Sequence, residues 1–448
     1  MSKLYRTLLA HRALVSVAAA LVSVAGVAAA VTYLKSKESR LTVGPGGNAE
    51  PGTAPPRPSA FVWPTFGYDS ARTHNLPSRL APPFRRLWRA RPTGELLEFT
   101  PSLARGRLYA LDNLARVVAV SARSGRRLWK RRLGALAAST PTYADGRLFV
   151  TILCTQACTP SIGNTKSNGR GRVAALRPRD GRLLWSRTLP SRSESTPLAL
   201  GDRLYFGSED GTVYAMRTTD GRIDWKYHAG DAVKGGIAYE QGRLYFGDYT
   251  GSVNAVRARD GKLVWTRSNV TSEKFYATPA VGFGRVFLST TDGYVHALRT
   301  NGRLDWSFEA GPGGYFYSAP ALGRPGGLGP TVFIGSRNSN FYALDARSGR
   351  VRWRKRAAGP ISGSASIVGE HVYFSTLNGR TTYGVRARDG QEEFRRAQGA
   401  FDPAIADQRR LYLIGFSTIS ALEPVRARAG ADQRRAAGAP RRGRARGR

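Results

Sequence analysis

Residues 343–353 read Ala-Leu-Asp-Ala-Arg-Ser-Gly-Arg-Val-Arg-Trp, and variants of this stretch recur along most of the chain. Most recurrences are 40 or 41 residues apart. In every variant after the first, a Gly preceded by Ser, Asp or Asn stands four residues before the aromatic residue. Glycine tolerates φ > 0, and Asp or Asn caps a turn with its own side chain, so each variant predicts a hairpin turn followed by a strand. The aromatic positions are Trp88, Trp129, Trp185, Trp225, Trp265, Trp306 and Trp353, with Phe394 as the eighth.

Three further turn-separated runs belong to each repeat. Residues 203–207, for example, form an alternating run (RLYFG), Asp210-Gly211 forms a turn, and residues 213–216 (VYAM) form the next run. Together with the Trp-bearing run they make a four-stranded antiparallel unit of about 40 residues, which is typical of a propeller blade.

The two ends of the repeat region predict how the ring closes. Residues 403–422 hold inner strands without a Trp strand, whereas Trp88 has no inner strands before it. The two segments together make one blade, and their pairing leaves no free sheet edge. The predicted fold class is all-β, an eight-bladed β-propeller of four-stranded antiparallel blades over residues 61–424. A seven-bladed ring is the main alternative.

Composition sets limits on the class of protein. The chain has 448 residues, 69 Lys+Arg against 31 Asp+Glu, a net charge of +38 and two Cys. These values exclude a disulfide-framework miniprotein, a multi-span membrane protein and an acidic disordered chain. The basic balance favours anionic partners such as phospholipid headgroups, cell-wall polyanions or nucleic acid.

One uncharged stretch of 22 residues, 13–34, is long enough to cross a bilayer as a helix. We interpret it as a single-pass signal anchor that places residues 1–12 in the cytoplasm and the propeller outside the cell membrane. Two alternatives stay open. Small residues at Ala28–Ala30 also fit a cleaved signal peptide, and cations on both flanks also allow an anchor that leaves the propeller in the cytoplasm.

Two further segments lack core-forming residues. Residues 35–60 contain a Pro/Gly-rich stretch and are interpreted as a linker. Residues 425–448 contain nine Arg and one Asp and are interpreted as a disordered tail. The tail either binds acidic lipid or wall polymer, or reflects an Arg- and Ala-heavy composition without a function.

The repeat resembles the pyrroloquinoline-quinone (PQQ) repeat propellers of the quinoprotein alcohol dehydrogenase-like superfamily. The resemblance rests on the Ala, Asp, Gly and Trp positions of residues 343–353 and on the entry sequence Trp63-Pro64-Thr65-Phe66-Gly67. It implies that each Trp packs between neighbouring blades. The superfamily includes quinone- and Ca²⁺-dependent dehydrogenases and also non-catalytic members, among them the lipoprotein scaffold of the barrel-assembly machinery, which this chain resembles more.

The resemblance to the dehydrogenases is incomplete. Those enzymes use Glu, Asn and Asp on the metal and a vicinal Cys pair against the quinone, whereas this chain has no vicinal Cys and few carboxylates. Calcium takes six to eight oxygen ligands. We therefore assign no catalytic residue, no metal and no cofactor, with PQQ and calcium as the alternative.

One set of residues is a candidate ligand site. Repeat symmetry places the residues that stand three positions before the Pro of each inner strand in one ring at the channel mouth. A polar and aromatic ligand rim is one interpretation, and ordinary loop variation is the other. The candidate residues are Glu98, Glu194, Lys234, Tyr276 and Tyr317.

The longest insertion contains Cys154 and Cys158. A disulfide that fixes this loop is the expected state outside the cytoplasm. A zinc site would need two further ligands, and redox exchange ordinarily uses a two-residue spacing.

Two hypotheses about function follow. The first is a monomeric, membrane-anchored propeller that binds an envelope protein or an anionic envelope polymer, with no nucleic acid expected. The second is a divergent PQQ-dependent oxidoreductase with its cofactor over the propeller axis.

Overall fold

Eight antiparallel sheets surround a central axis in the computed structural model, which describes residues 39–44, 62–158 and 169–425. The eight-bladed count is confirmed and the seven-bladed alternative is wrong. The predicted anchor at 13–34 lies outside the described residues, as do residues 1–12 and most of the predicted linker and tail. Within the described part of the chain, no helix has the length and apolar character that a membrane crossing requires.

Three strands precede the first complete blade, and within each blade the chain runs from the inner strand to the outer one. The first three strands are β1 (Leu41–Val43), β2 (Asn75–Leu76) and β3 (Phe84–Ala90). Blade 1 holds β4 (Ser102–Ala104), β5 (Arg107–Leu111), β6 (Arg116–Ser121) and β7 (Arg127–Arg132); blade 2 holds β8 (Thr142–Ala144), β9 (Arg147–Ile152), β10 (Arg172–Leu176) and β11 (Leu183–Thr188); blade 3 holds β12 (Leu198–Leu200), β13 (Arg203–Gly207), β14 (Thr212–Arg217) and β15 (Ile223–His228); blade 4 holds β16 (Ala238–Glu240), β17 (Arg243–Gly247), β18 (Val253–Arg257) and β19 (Leu263–Arg267).

The second half of the ring repeats this order. Blade 5 holds β20 (Ala280–Gly282), β21 (Arg285–Ser289), β22 (Tyr294–Arg299) and β23 (Leu304–Glu309); blade 6 holds β24 (Ala321–Gly323), a 3₁₀ turn (Pro325–Gly327), β25 (Thr331–Gly335), β26 (Asn340–Asp345) and β27 (Val351–Arg356); blade 7 holds β28 (Ser366–Val368), β29 (His371–Ser375), β30 (Thr382–Arg386) and β31 (Glu392–Arg396); blade 8 holds β32 (Ala404–Ala406), β33 (Leu411–Ile414) and β34 (Ile419–Pro424). The outer strand of blade 8 is β3, which pairs antiparallel with β34 from the other end of the chain.

The same contact joins seven of the eight blade pairs. Between blades 2 and 3, the Trp185 indole N–H donates to the Thr218 carbonyl at 3.0 Å, and its ring lies against Gly221. A Cβ on Gly221 would stand 2.6 Å from that ring, so the glycine has no room for a side chain. The pairs are Trp88 with Gly125, Trp129 with Gly181, Trp185 with Gly221, Trp225 with Gly261, Trp265 with Gly302, Trp306 with Gly349 and Trp353 with Gly390.

The eighth seam is different. Phe394 of blade 7 packs edge-to-face on Phe84 at the start of β3, with ring centroids 5.7 Å apart. Blade 8 has no turn between its third and outer strands, because these strands come from opposite ends of the chain. The aromatic contact therefore replaces the Trp–Gly pair where no turn glycine exists.

Residues 63–76, the axial segment, run across the inner strands and fill the channel. Main-chain hydrogen bonds join Trp63 to Leu103 of blade 1. The main-chain amide of Tyr143 in blade 2 donates to the Pro64 carbonyl. The same kind of bond reaches blades 4, 5, 6 and 7: Tyr239 to Ser70, Val281 to Ala71, Leu322 to Thr73 and Ile367 to His74. The segment therefore ties together inner strands from most of the ring.

A fully buried arginine lies in the middle of this segment. The Arg72 guanidinium donates to the Ile237 carbonyl at 2.9 Å, to the Phe66 carbonyl at 2.6 Å and to the Thr65 hydroxyl at 2.8 Å. Burial lowers the pKa of Arg72 to about 10, which leaves it charged at neutral pH. Burial and the nearby Arg72 charge lower the pKa of His74 to about 3, so this histidine is neutral.

Part of the predicted linker forms a strand. β1 pairs antiparallel with β19, with Leu41 opposite Arg267 and Val43 opposite Trp265, and makes blade 4 five-stranded. This pairing differs from the expected linker, which lacks core-forming residues. An edge strand offers main-chain groups to any extended segment, so β1 needs no distinctive side chains to bind there.

We predict that Gly221→Ala lowers the free energy of unfolding more than Gly106→Ala does. Both glycines have positive φ, +69° and +71°, so an alanine at either position suffers the same backbone strain. Only the Gly221 methyl would meet an indole ring, since nothing lies within 4 Å of a Cβ on Gly106. Overpacking of this kind costs about 1–3 kcal/mol. Chemical denaturation of both variants measures the difference, and equal losses would contradict the proposed role of the contact.

We also predict that Arg72→Met destabilises the propeller by about 3–5 kcal/mol, because several buried carbonyls lose their donor. Arg123→Met, at an exposed arginine, serves as the control and is expected to change stability by less than about 0.5 kcal/mol. Thermal and urea unfolding of both proteins test this. Similar stabilities for the two variants would show that the axial segment does not hold the ring together.

Candidate functional site

The loops that link one blade to the next converge on one end of the axis. The chain leaves each blade at its outer strand and enters the next at the inner strand, so these loops return to the axis on the same face. The turns between second and third strands lie there too. We call this side the mouth face. It holds a cavity of about 330 Å³, the mouth cavity, with Phe66 of the axial segment in its lining.

All five candidate rim residues line the mouth cavity: Glu98, Glu194, Lys234, Tyr276 and Tyr317. Because the blades repeat, residues at the same position of each repeat lie at the same height and radius in the ring. All five residues stand three positions before the proline, or its equivalent, that precedes an inner strand, so they lie together. Three charged residues at the site were missed: Glu209, Arg337 and Asp402. Glu209 and Arg337 lie in turns between second and third strands, which that offset does not sample.

Lys234 lies between two carboxylates. Its ammonium is 3.0 Å from Glu194 Oε1 and 3.0 Å from Glu209 Oε1. Burial acts to lower the pKa of Lys234, but the two carboxylates outweigh it and raise that pKa. The Tyr276 hydroxyl donates to Glu194 Oε2 at 3.2 Å, and burial, with the Glu194 charge second, raises the pKa of Tyr276. This side of the cavity is a connected network with its charges paired.

The opposite side of the cavity is acidic. Asp402 accepts a hydrogen bond of 2.6 Å from the Ser364 amide, and burial raises the pKa of Asp402 to about 7, with the Glu98 charge adding to the effect. Burial, followed by the Glu194 charge, also raises the pKa of Glu98. Among the described residues, the Glu98 carboxylate has no hydrogen-bond or ion-pair partner. Asp402 can therefore hold a proton near neutral pH.

Aromatic rings form the outer edge of the mouth. Tyr276 and Tyr317 meet edge-to-face with centroids 5.7 Å apart, and the Arg337 guanidinium lies 5.8 Å from the centre of the Tyr317 ring. Tyr315 is 44% exposed, Tyr317 40% and Phe416, in a turn of blade 8, 41%. These three are the exposed aromatic side chains of the described residues, and all lie on the mouth face.

The insertion of blade 2 is on the same face. It connects β9 to β10, and Cys154 and Cys158 form a disulfide there. Cys154 also pairs through its main chain with Leu136. Residues 159–168 of the insertion lie outside the described residues. Both sulfurs are bonded to each other, so neither is a free thiolate for zinc.

The residues present do not fit calcium-bound quinone. Calcium needs six to eight oxygen ligands, but Glu194 is engaged by Lys234 and Tyr276. Glu98 and Asp402 have raised pKa values, which favours their protonated forms over anionic ligands. In the described ranges, no group of three or more His, Cys, Asp or Glu side chains is arranged to hold a metal. We therefore derive no step through a quinone.

We predict that Asp402→Asn removes part of the pH dependence of stability. The folded pKa of about 7 lies above the ordinary aspartate value, so the folded state holds an extra proton between about pH 4 and 7. The free energy of unfolding of the natural protein should therefore fall as pH rises through this window, by at most about 1.4 kcal/mol per pH unit from this group. The variant should show a smaller fall, because other carboxyl groups with raised pKa values, such as Glu98 and Glu240, still titrate.

Urea unfolding of both proteins between pH 4.5 and 8 tests this prediction. The stability advantage of the natural protein over the variant is expected to shrink as pH rises. Parallel pH profiles would mean that Asp402 titrates at an ordinary aspartate pKa.

Comparisons with known proteins give the relationship of the chain. A family model described as outer membrane protein assembly factor BamB matches residues 80–155, 163–233 and 228–414. No curated protein shows a significant match. BamB from Moraxella catarrhalis has a similar structure, with a TM-score of 0.59 at 16% identity over 76% of this chain and 98% of that chain.

Two other solved structures are also similar. Quinohemoprotein alcohol dehydrogenase from Comamonas testosteroni has a TM-score of 0.62 at 13% identity over 85% of this chain and 81% of its own. The computationally designed Ika8 protein has a TM-score of 0.59 at 10% identity over 76% of this chain and 100% of its own. At such identities these structures show the fold alone. The family model matches most of the propeller, so the chain belongs to the outer membrane protein assembly factor BamB family of PQQ-like repeat propellers.

Proposed function

We propose that this protein is a non-catalytic scaffold that binds a partner protein of the cell envelope on its mouth face. The observation that carries the proposal is the position of Tyr315, Tyr317 and Phe416, the exposed aromatic residues of the described chain, on that one face. Aromatic residues and Arg are enriched where proteins bind one another. Membership of a family described as an assembly factor supports the same function.

The loop that contains Tyr315 and Tyr317 is held in place by contacts within the protein. The Tyr315 carbonyl accepts a hydrogen bond of 3.0 Å from the main-chain amide of Arg337. Phe316, between the two tyrosines, is fully buried. The Arg380 guanidinium lies over the Phe416 ring, 4.7 Å from the ring centre, in a cation–π contact. Rigid contact residues lose little entropy on binding, which favours affinity.

The chemistry of the mouth cavity supports binding rather than catalysis. Its strongest nucleophile candidate, Lys234, is charged and held between two carboxylates. The alternative is a divergent PQQ-dependent oxidoreductase, which the raised pKa values of Glu98 and Asp402 at the mouth cavity do not favour.

The proposed location is the outer side of the cell membrane, with residues 13–34 as a single-pass anchor and the propeller as a monomer. The uncharged sequence of that stretch and the Cys154–Cys158 disulfide support this location, because structural disulfides persist in oxidising compartments.

Site-specific photo-crosslinking in membranes tests the proposal. A photoreactive residue at position 315, 317 or 416 of the full chain is expected to crosslink to a discrete protein. The control positions are Ile223 and Val351, which are 45% and 47% exposed on outer strands. The double variant Tyr315→Ala/Tyr317→Ala should reduce crosslinking from position 416 at least fivefold, since most interface energy resides in a few anchor residues.

Crosslinks of equal yield from mouth and control positions would contradict the mouth face as the binding surface. Saturable, Ca²⁺-dependent binding of PQQ by the purified protein, followed by reduction of an electron acceptor with alcohols or sugars, would overturn its non-catalytic character.

A further inference from the structure

Positive charge without an ion-pair partner among the described residues is most abundant on the outer strands of two adjacent blades. β3 of blade 8 carries three Arg, and β7 of blade 1 carries three Arg and one Lys, with no acidic residue on either strand. On the opposite side of the ring, β19 carries one Arg, and β23 carries an Asp and a Glu without a cation. We call the cations of β3 and β7 the basic rim surface: Arg85, Arg86, Arg89, Arg127, Lys130, Arg131 and Arg132.

Little of this charge is neutralised by ion pairs. All seven side chains are on residues exposed to solvent. Among the described residues, only Arg85 of the seven has a carboxylate at ion-pair distance, that of Glu423. β27 of blade 6 has the same number of cations as β7, but its Arg352 is bound to Asp345 and its Lys355 to Glu392. The basic rim surface is therefore distinguished by unpaired charge and not by composition alone.

The shape of this charge suits a linear polymer that bears phosphate. Six of the seven cations are arginines, whose planar guanidinium matches phosphate in a two-bond geometry. Successive residues on one face of a strand are about 6.8 Å apart, so Lys130 and Arg132 offer regularly repeated charge. The strands belong to neighbouring blades joined by the Arg127 bond to the Pro92 carbonyl. Two short rows of cations therefore lie side by side along the rim.

The described chain ends beside this surface. The Val425 amide donates to the Pro83 carbonyl immediately before β3. The sequence of residues 426–448, which lie outside the described ranges, contains nine arginines.

The position of β1 argues against a lipid bilayer as the occupant, a step that rests on the anchor in the proposed function. β1 lies on blade 4, which is across the ring from blade 8. Only residues 35–38 separate the predicted anchor from Ser39, and four residues span at most about 14 Å. The anchor therefore keeps blade 4 near the bilayer and leaves the basic rim surface on the far side of the ring.

We propose that the basic rim surface binds a linear polymer whose repeating anionic groups are phosphodiesters, on the side of the propeller that faces away from the membrane.

Binding of poly(glycerol phosphate) to the full chain in detergent, measured over a series of salt concentrations, tests this proposal. The variant Arg86→Gln/Arg89→Gln/Lys130→Gln removes three cations from the surface. The control Arg222→Gln/Lys262→Gln/Arg303→Gln also removes two Arg and one Lys, but from exposed turns of blades 3, 4 and 5. The first variant should bind at least tenfold more weakly at low salt with a shallower salt dependence, and the control less than threefold more weakly.

Three outcomes would overturn the proposal. Equal losses in both variants would mean that net charge alone attracts the polymer. No measurable binding by the natural protein would exclude the ligand. Binding of vesicles with anionic lipid that depends on the same three residues, without polymer binding, would assign the surface to a bilayer.

Crosslinking from position 315 provides a separate readout of partner binding. If it persists in the rim variant while polymer binding is lost, the two surfaces act independently. If polymer binding depends on the rim cations and no partner protein is captured, the mouth proposal fails and the rim proposal stands. Matching thermal unfolding of both triple variants establishes that neither loss reflects misfolding.

Discussion

The contact between a tryptophan of one blade and the turn glycine of the next is the constraint on which the ring depends. Each of these seams combines an indole N–H bond with a ring face that leaves no space for a Cβ, as between Trp185 and Gly221. The angle between blades follows from this contact, and the loops of the mouth face meet at the axis only because the angle is repeated. The distance from Lys234 to the carboxylates of blade 3 is therefore set at the seams, far from the cavity itself.

The axial segment forms the floor of the mouth cavity and fills the channel behind it. Phe66 lies in the lining of the mouth cavity, and Arg72 fills the axis with hydrogen bonds to carbonyls of blades 3 and 4. The mouth is consequently a closed recess and not a passage. A recess with a fixed floor and a paired ammonium can receive a side chain or a loop from outside, which is the kind of contact that a binding scaffold makes.

The sequence allowed the repeated features of the ring to be predicted, but not the features that occur only once. The Gly and Trp positions repeat, so blade number, closure and the rim position of residues such as Glu98 and Tyr276 could be predicted from spacing. Asp402 was missed because its role depends on which blades become neighbours, and the spacing of the repeats does not give the distance between them. Glu209 was missed because it lies in a turn between second and third strands, away from the repeated position before the proline. The axial segment occurs once and has no repeat to reveal it. β1 binds by main-chain groups, which leave no pattern in the side chains.

The seams and the axial segment differ in how they would respond to the gain or loss of a repeat. Every internal blade offers the same indole and the same glycine, so a duplicated unit of the gene would find matching neighbours on both sides. The ends of the chain would still meet through β3 and β34. Residues 63–76 have no such freedom, because each main-chain bond is made to one particular inner strand across a channel of one width. In the evolution of such rings, the unrepeated segment is therefore the part of the chain that limits the number of blades.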